Sequence, residues 1–192
     1  MSRCEIVGSV SVQYDERGSN RDEANHVTHS SPATPAAEET SCAARNCLLA
    51  SIVLVDARGW LLLQERDELA PVSPNQWGLV GGHLEDGEDW EEALHRELRE
   101  ETGLDVREGL VLWFDELVQH SPKVSTHLAD HWKIWAARVD LTDEDIQLGE
   151  GRQIVFVDPE QIRGGSLDLA LGSSHVLPEF LASGTYARLT AG

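Results

Sequence analysis

The sequence predicts an α/β fold, and three features of its 192 residues carry that expectation. Two apolar runs, CLLASIVLVD over 47–56 and WLLLQER over 60–66, flank the turn Ala57-Arg58-Gly59, the pattern of a hairpin in a buried sheet. On a wheel of about 100° per residue, residues 90–101 gather Trp90, Ala93, Leu94 and Leu98 into one apolar stripe, which predicts a helix packed by one face. Strand-like runs follow that helix: REGLVLWFDELV over 107–118, WKIWAARVDL over 132–141, and Gln153–Val157. Strands on both sides of a packed helix suit a mixed, curved sheet covered by helices.

Taken in order, residues 1–14 form a strand-like segment, because EIVGSVSVQY alternates apolar and polar positions at Val10, Val12 and Tyr14. Residues 15–44 are rich in Ser, Asn, Asp, Glu, Ala and Pro without periodicity, and read as a flexible linker. The folded domain is expected over 45–192. Within it, residues 67–76 are a Pro-containing loop, and Trp77–Val80 a short strand that delivers Gly81-Gly82. The Gly-rich stretch through Gly87 reads as a flexible loop whose backbone can approach a ligand closely. Asp89 followed by Glu92 is a capping box, and Gly103 stands where a left-handed residue stops the helix. Residues 119–131 read as a loop containing His120, His127, Asp130 and His131. Asp158-Pro159 starts a turn and a short helix, and SSHVLPEFLAS over 173–183 a closing amphipathic helix with Pro178 near its first turn.

Composition narrows the function. Thirty-four acids against 15 bases give a net charge of −19, which excludes a basic surface for long nucleic acid or an anionic membrane. A small phosphorylated substrate would need its charge bridged by metal and a few local arginines. Three cysteines, Cys4, Cys42 and Cys47, make no disulfide framework and suit a reducing cytoplasm. No secretory leader and no membrane-length apolar run is visible. The strand-like segment at 1–14 leaves open pairing with the main sheet or with a partner chain in a homodimer.

The chemistry is concentrated on the predicted helix. Glu97 and Glu101 fall inside its apolar stripe and Glu100 at its edge, whereas a solvated helix would turn its acids the other way. Glu97 and Glu101 are i,i+4 neighbours, a like-charge pair that weakens a helix by roughly 0.2–0.5 kcal/mol. Carboxylates gathered on a half-buried face are costly unless a cation sits among them. That arrangement predicts a divalent-metal site with hard oxygen ligands, suited to Mg²⁺ or Mn²⁺.

The stretch from Gly82 through Glu88, Arg96, Glu97, Leu98, Glu100, Glu101 and Gly103 to Leu104 reads G-x5-E-x7-R-E-L-x-E-E-x-G-L. It resembles the signature of the Nudix hydrolase family, of the MutT-like kind, with every fixed position of the motif present. The resemblance implies an α/β/α sandwich with the motif as a loop–helix–loop on the rim of the sheet. It implies metal ligation by Glu97, Glu100, Glu101 and the Gly81 carbonyl. Glu88 and Arg96 look like the family's structural pair, with Arg96 orienting the ligating carboxylates. Glu150, between Gly149 and Gly151, is similar to a late-loop glutamate that serves in several relatives as a further ligand or as the base. The family often carries a proline where Val80 stands, the one departure from its pattern.

The expected reaction is Mg²⁺-dependent attack of water on a phosphoanhydride, in a nucleoside triphosphate or another nucleoside diphosphate linked to a second group. Glu100, Glu101 and Glu150 are the candidate proton acceptors, and residue types alone do not choose among them. Trp77 and His127 are the candidate substrate contacts, by ring stacking and from a loop carried on a rigid scaffold. The alternative is a regulatory module on the same fold that binds a nucleotide without turnover; the intact acids weigh against it.

Overall fold

The computed structural model describes residues 47–119 and 129–191. The segment 1–14, the linker 15–44, Cys4, Cys42, His120 and His127 lie outside the described residues. Among the described residues, seven strands and four α-helices follow in chain order: β1 Cys47–Val55, β2 Leu61–Glu65, β3 Trp77–Gly78, β4 Val80–His83, α1 Trp90–Thr102, β5 Val111–Gln119, β6 Ala129–Arg138, β7 Gln153–Val157, α2 Pro159–Arg163, α3 Leu171–Ala182 and α4 Gly184–Thr190.

The sheet is mixed, as predicted. β1 runs parallel to β6 along its whole length, from Cys47 opposite Asp130 to Val55 opposite Arg138. Its other edge is shared: β4 pairs antiparallel with Leu49–Ile52, and β2 meets it only at Val55 opposite Leu61. β2 then leaves β1 and pairs with β7 along its length and with β3 at Gln64 and Glu65. β2 thus leaves to β4 the edge of β1 that it meets only at Val55.

Alternation along β1 sends side chains to both faces, which is why its sequence is an unbroken apolar run. Ala50, Ile52 and Leu54 pack with Ala93, Leu94 and Leu98 of α1. Val53 and Val55 pack on the opposite side with Val176, Leu177 and Phe180 of α3. The architecture is therefore helix, sheet, helix.

Four boundaries differ from the sequence reading. Trp77–Val80 is not one strand: it breaks at Leu79, Trp77 pairing with β2 and Val80 with β1. Gly81 and Gly82 belong to β4 rather than to a loop, held in register opposite Ser51 and Ala50. β6 starts at Ala129, taking up Asp130 and His131, because β1 offers them parallel partners. Pro178 sits deep inside α3, and α4 follows as a further helix. An interior proline costs a helix about 3 kcal/mol. Burial of Val176, Leu177, Phe180 and Leu181 against the sheet, at roughly 1.5–3 kcal/mol each, outweighs it.

The β1–β2 hairpin depends on Asp56, which is 1% exposed. Its Oδ1 accepts from the Arg58 N–H at 2.8 Å and the Trp60 N–H at 2.9 Å, and its Oδ2 receives the Arg58 guanidinium at 2.6 Å. Asp56→Ala strands two amide donors and is expected to cost about 2–3 kcal/mol in urea unfolding. Asp56→Asn keeps an acceptor for both amides and should cost less than half of that. Equal losses for the two variants would show that the Asp56 acceptor does not hold the turn.

Candidate active site

α1 is set by its two ends and one face. Asp89 Oδ1 accepts from the amides of Glu91 at 3.0 Å and Glu92 at 2.9 Å, while Glu92 reaches back to the Asp89 amide at 3.0 Å, completing the capping box. Gly103 stops the helix with φ 72° and an N–H donated to the Arg99 carbonyl. Ala93, Leu94 and Leu98 are sealed against the sheet, and the seal carries acids with it. Glu101 is only 6% exposed and Glu97 is half-buried, whereas Glu100 is exposed.

Three neighbouring elements converge on these carboxylates. The first is β4: the Gly81 N–H donates to Glu101 Oε2 at 3.2 Å, and Gly82 lies so close to Glu97 that a Cβ there would fall 2.4 Å from its Oε1. The second is the β4–α1 loop, bound through Arg96. Its Nε donates to Glu88 Oε1 at 2.7 Å, and its Nη2 to Glu88 Oε2 at 3.0 Å and to the His83 carbonyl at 2.9 Å. Its Nη1 donates to Glu97 at 2.8 Å and Glu100 at 3.1 Å. The guanidinium holds the Glu88 carboxyl below its ordinary range, helped by the Glu85 amide.

The third element is the segment 147–151. The Gln147 N–H donates to the Thr102 carbonyl at 2.9 Å and the Gly149 N–H to the Glu101 carbonyl at 2.8 Å, so the segment caps the open end of α1. A Cβ at Gly149 would lie 1.8 Å from the Glu100 carbonyl oxygen, so only glycine permits this docking. Docking brings Glu150 close enough for its charge to act on both Glu97 and Glu101.

The electrostatic result is a crowd of carboxylates. Burial pushes the Glu101 carboxyl up to about 8; the Gly81 amide opposes that, the charges of Glu97 and Glu150 add to it, and Arg66 weakly opposes it. Burial also raises Glu97, against the pull of Arg96. Among the described residues, no three ligating side chains already converge on one point. Glu97 Oε1 and Glu100 Oε2 are turned towards Arg96. The donor set still fits a hard divalent cation: its ligands are all oxygen, and one of them, Glu101, is raised to about 8 and is not reached by Arg96. Glu100, with its side chain 61% exposed, is held at the rim of the group by the single bond from Arg96 Nη1.

A cavity of about 180 Å³ lies beside Glu150, lined by Gln64 of β2, Arg66 just past its end, Asp67, Leu69, Ala70 and Pro71 of the following loop, and Glu150–Gly151. A larger cavity of about 420 Å³ lies beside Ala57 and Arg138–Asp140 and contains none of these acids. Arg66 was not singled out by sequence reasoning. Its Nε is buried without a hydrogen-bond partner, and its charge favours ionised Glu101. The available signal was a lone cation ending an apolar strand just before a loop. Trp77 packs with the α3-side core and bridges to Leu169, so it is not brought together with the carboxylates. His127 lies outside the described residues.

Comparison with known proteins gives the family and the fold. The family model described as "NUDIX domain" matches residues 46–180. The nucleoside triphosphatase NudI of Salmonella agona (strain SL483) is 48% identical over 50 residues, 26% of this chain and 36% of that protein. The m7GpppN-mRNA hydrolase NUDT17 of Xenopus laevis is 34% identical over 109 residues, 56% of this chain and 35% of that protein. The chain thus spans about a third of the length of these relatives. A NUDIX hydrolase structure from Nitrosomonas europaea superposes with a TM-score of 0.58 at 20% identity, covering 73% of this chain and 90% of that one, which shows the shared fold.

Glu101 gives the metal-free protein a pH signature. Its pKa is raised from 4.5 to about 8 on folding, so the folded state holds the proton more tightly than the unfolded chain. The resulting stabilisation is complete below about 4.5 and is lost as pH rises towards 8. With chelator present, the melting temperature should fall by about 5 °C or more between pH 5 and pH 8.5 relative to Glu101→Gln, whose amide cannot ionise. Parallel curves for the two proteins would show that Glu101 is not the strained group.

Proposed function

The chain belongs to the Nudix family, and from that premise we propose that it hydrolyses a phosphoanhydride in a small nucleoside diphosphate derivative, with a nucleoside triphosphate as the leading class. The observation that carries this reading is the pairing of buried Glu101 and half-buried Glu97 with Glu150, which is docked beside them and lines a cavity together with Arg66. A net charge of −19 leaves few cations for an anionic substrate, which restricts it to one small enough to be held locally.

Glu97, Glu100, Glu101, Glu150 and the Gly81 carbonyl would hold Mg²⁺, with Mn²⁺ as a substitute. The metal, when bound, supplies charge neutralisation of the diphosphate oxygens and a more acidic water. The protein's own groups do the rest. Arg96 fixes the rotamers of Glu97 and Glu100 and ties them to the Glu88 loop. The Gly81 amide fixes Glu101. Arg66, with a buried donor unused, binds a phosphoryl oxygen of the substrate. Glu150 Oε accepts the proton of the attacking water, because it is the exposed acid that lines the substrate cavity, whereas Glu101 is buried and engaged by Gly81.

The nucleotide-binding module without turnover is separated by experiment. With a panel of nucleoside triphosphates and diphosphate-linked nucleosides, hydrolysis should require Mg²⁺ or Mn²⁺ and stop on chelation. Glu97→Gln and Glu101→Gln should each lower kcat by at least about 10²-fold while the circular dichroism stays native. Binding without hydrolysis by the wild type across that panel would instead establish the module.

Glu150→Gln should lower kcat by about 10²-fold or more and remove the acidic limb of the pH–rate profile. If kcat is unchanged at saturating Mg²⁺, the proton acceptor lies on α1, at Glu100 or Glu101.

A further inference from the structure

Arg152 makes more contacts than its exposed position explains. Its backbone N–H donates to the Glu65 carbonyl at 2.8 Å. Its guanidinium donates from Nη1 to Glu65 at 2.8 Å, and from Nη2 to Glu68 at 3.1 Å and Asn75 Oδ1 at 2.6 Å. These acceptors mark three points of one loop: its base at the end of β2, its outgoing limb and its returning limb. The loop is internally thin. Asp67 accepts from the Leu69 and Asn75 amides, and Ser73 and Asn75 hold positive φ of 51° and 59°. Its tip exposes Leu69 and Val72.

Exposed ion pairs add little to stability, and the Arg152 side chain is 44% exposed, so its three acceptors point to a role in placing the loop. Arg152 follows Glu150 and Gly151, one wall of the cavity, and it grips the loop whose residues Asp67, Leu69, Ala70 and Pro71 form the other. A Cβ on Gly151 would fall 2.8 Å from the Glu65 carbonyl, so the chain runs tightly against β2 just before the arginine.

We propose that Arg152 is a positioning residue that pins the 67–76 loop to the Glu150 wall and so sets the width of the substrate cavity. It touches neither the carboxylates of α1 nor, in this role, the substrate. What the cavity holds rests on the hydrolase reading; the pinning of the loop does not.

The test uses the full chain with Arg152→Ala and Arg152→Lys. Amide hydrogen exchange without substrate should speed up about 10-fold or more across 67–76 in Arg152→Ala, with β1 and β6 unchanged. Lysine, a point charge without the planar fork, should restore only part of the protection. For the nucleoside triphosphate that the wild type turns over fastest, KM should rise at least about 5-fold with kcat within about 3-fold, the mark of lost substrate positioning. Unchanged exchange in the loop, equal acceleration through the whole domain, or a loosened loop with unaltered KM would each overturn the proposal. Absence of turnover in the wild type would refute the hydrolase reading, while the exchange arm still decides whether Arg152 pins the loop.

Discussion

The contacts of Arg96 are the constraint on which the rest of the site depends. A guanidinium is the one side chain that presents five donors in a fixed plane, and here that plane meets Glu88, Glu97, Glu100 and the His83 carbonyl together. It joins the loop before α1 to the helix itself, and so determines where the Gly81–Gly82 edge of β4 lies relative to the acids. A lysine could satisfy one partner at a time, and the remaining carboxylates would repel one another. The carboxylates can be close because this cation is already among them.

The same helix shows how stability and chemistry oppose each other. Ala93, Leu94 and Leu98 favour deep burial of α1, and that burial draws Glu101 into a place where its charge is poorly solvated. A helix designed only to fold would carry a neutral residue at 101. The fold tolerates the acid because its apolar neighbours on the stripe contribute more than it costs, with the Gly81 amide offsetting part of the remainder.

Local signals were legible and distant ones were not. The hairpin at Asp56–Trp60, the Asp89–Glu92 cap, the Gly103 stop and the burial of Glu97 and Glu101 all follow from residues a few positions apart. The division of Trp77–Val80 was hidden because its two halves pair with different strands, a choice made by β1 and β2 rather than by the segment. Pro178 was misjudged because a local rule about helices lost to burial against a sheet. Arg66 and Arg152 escaped for a related reason. Arg152 reaches Glu65, Glu68 and Asn75 across most of the domain's sequence, and no periodicity or spacing encodes such a contact.

The parallel pairing of β1 with β6 carries a consequence for how the molecule is made. β1 emerges early and is apolar on both faces, yet its full-length partner is complete only when synthesis has passed Arg138. In the interval β2 and β4 can cover one edge, but the other stays open, and contacts between remote segments close slowly. An unpaired apolar strand is the feature that draws nascent chains into aggregates. The hairpin and the β4 pairing therefore act as an early shelter for the central strand, and any slowing of translation between residues 84 and 138 would lengthen the time for which that shelter alone must suffice.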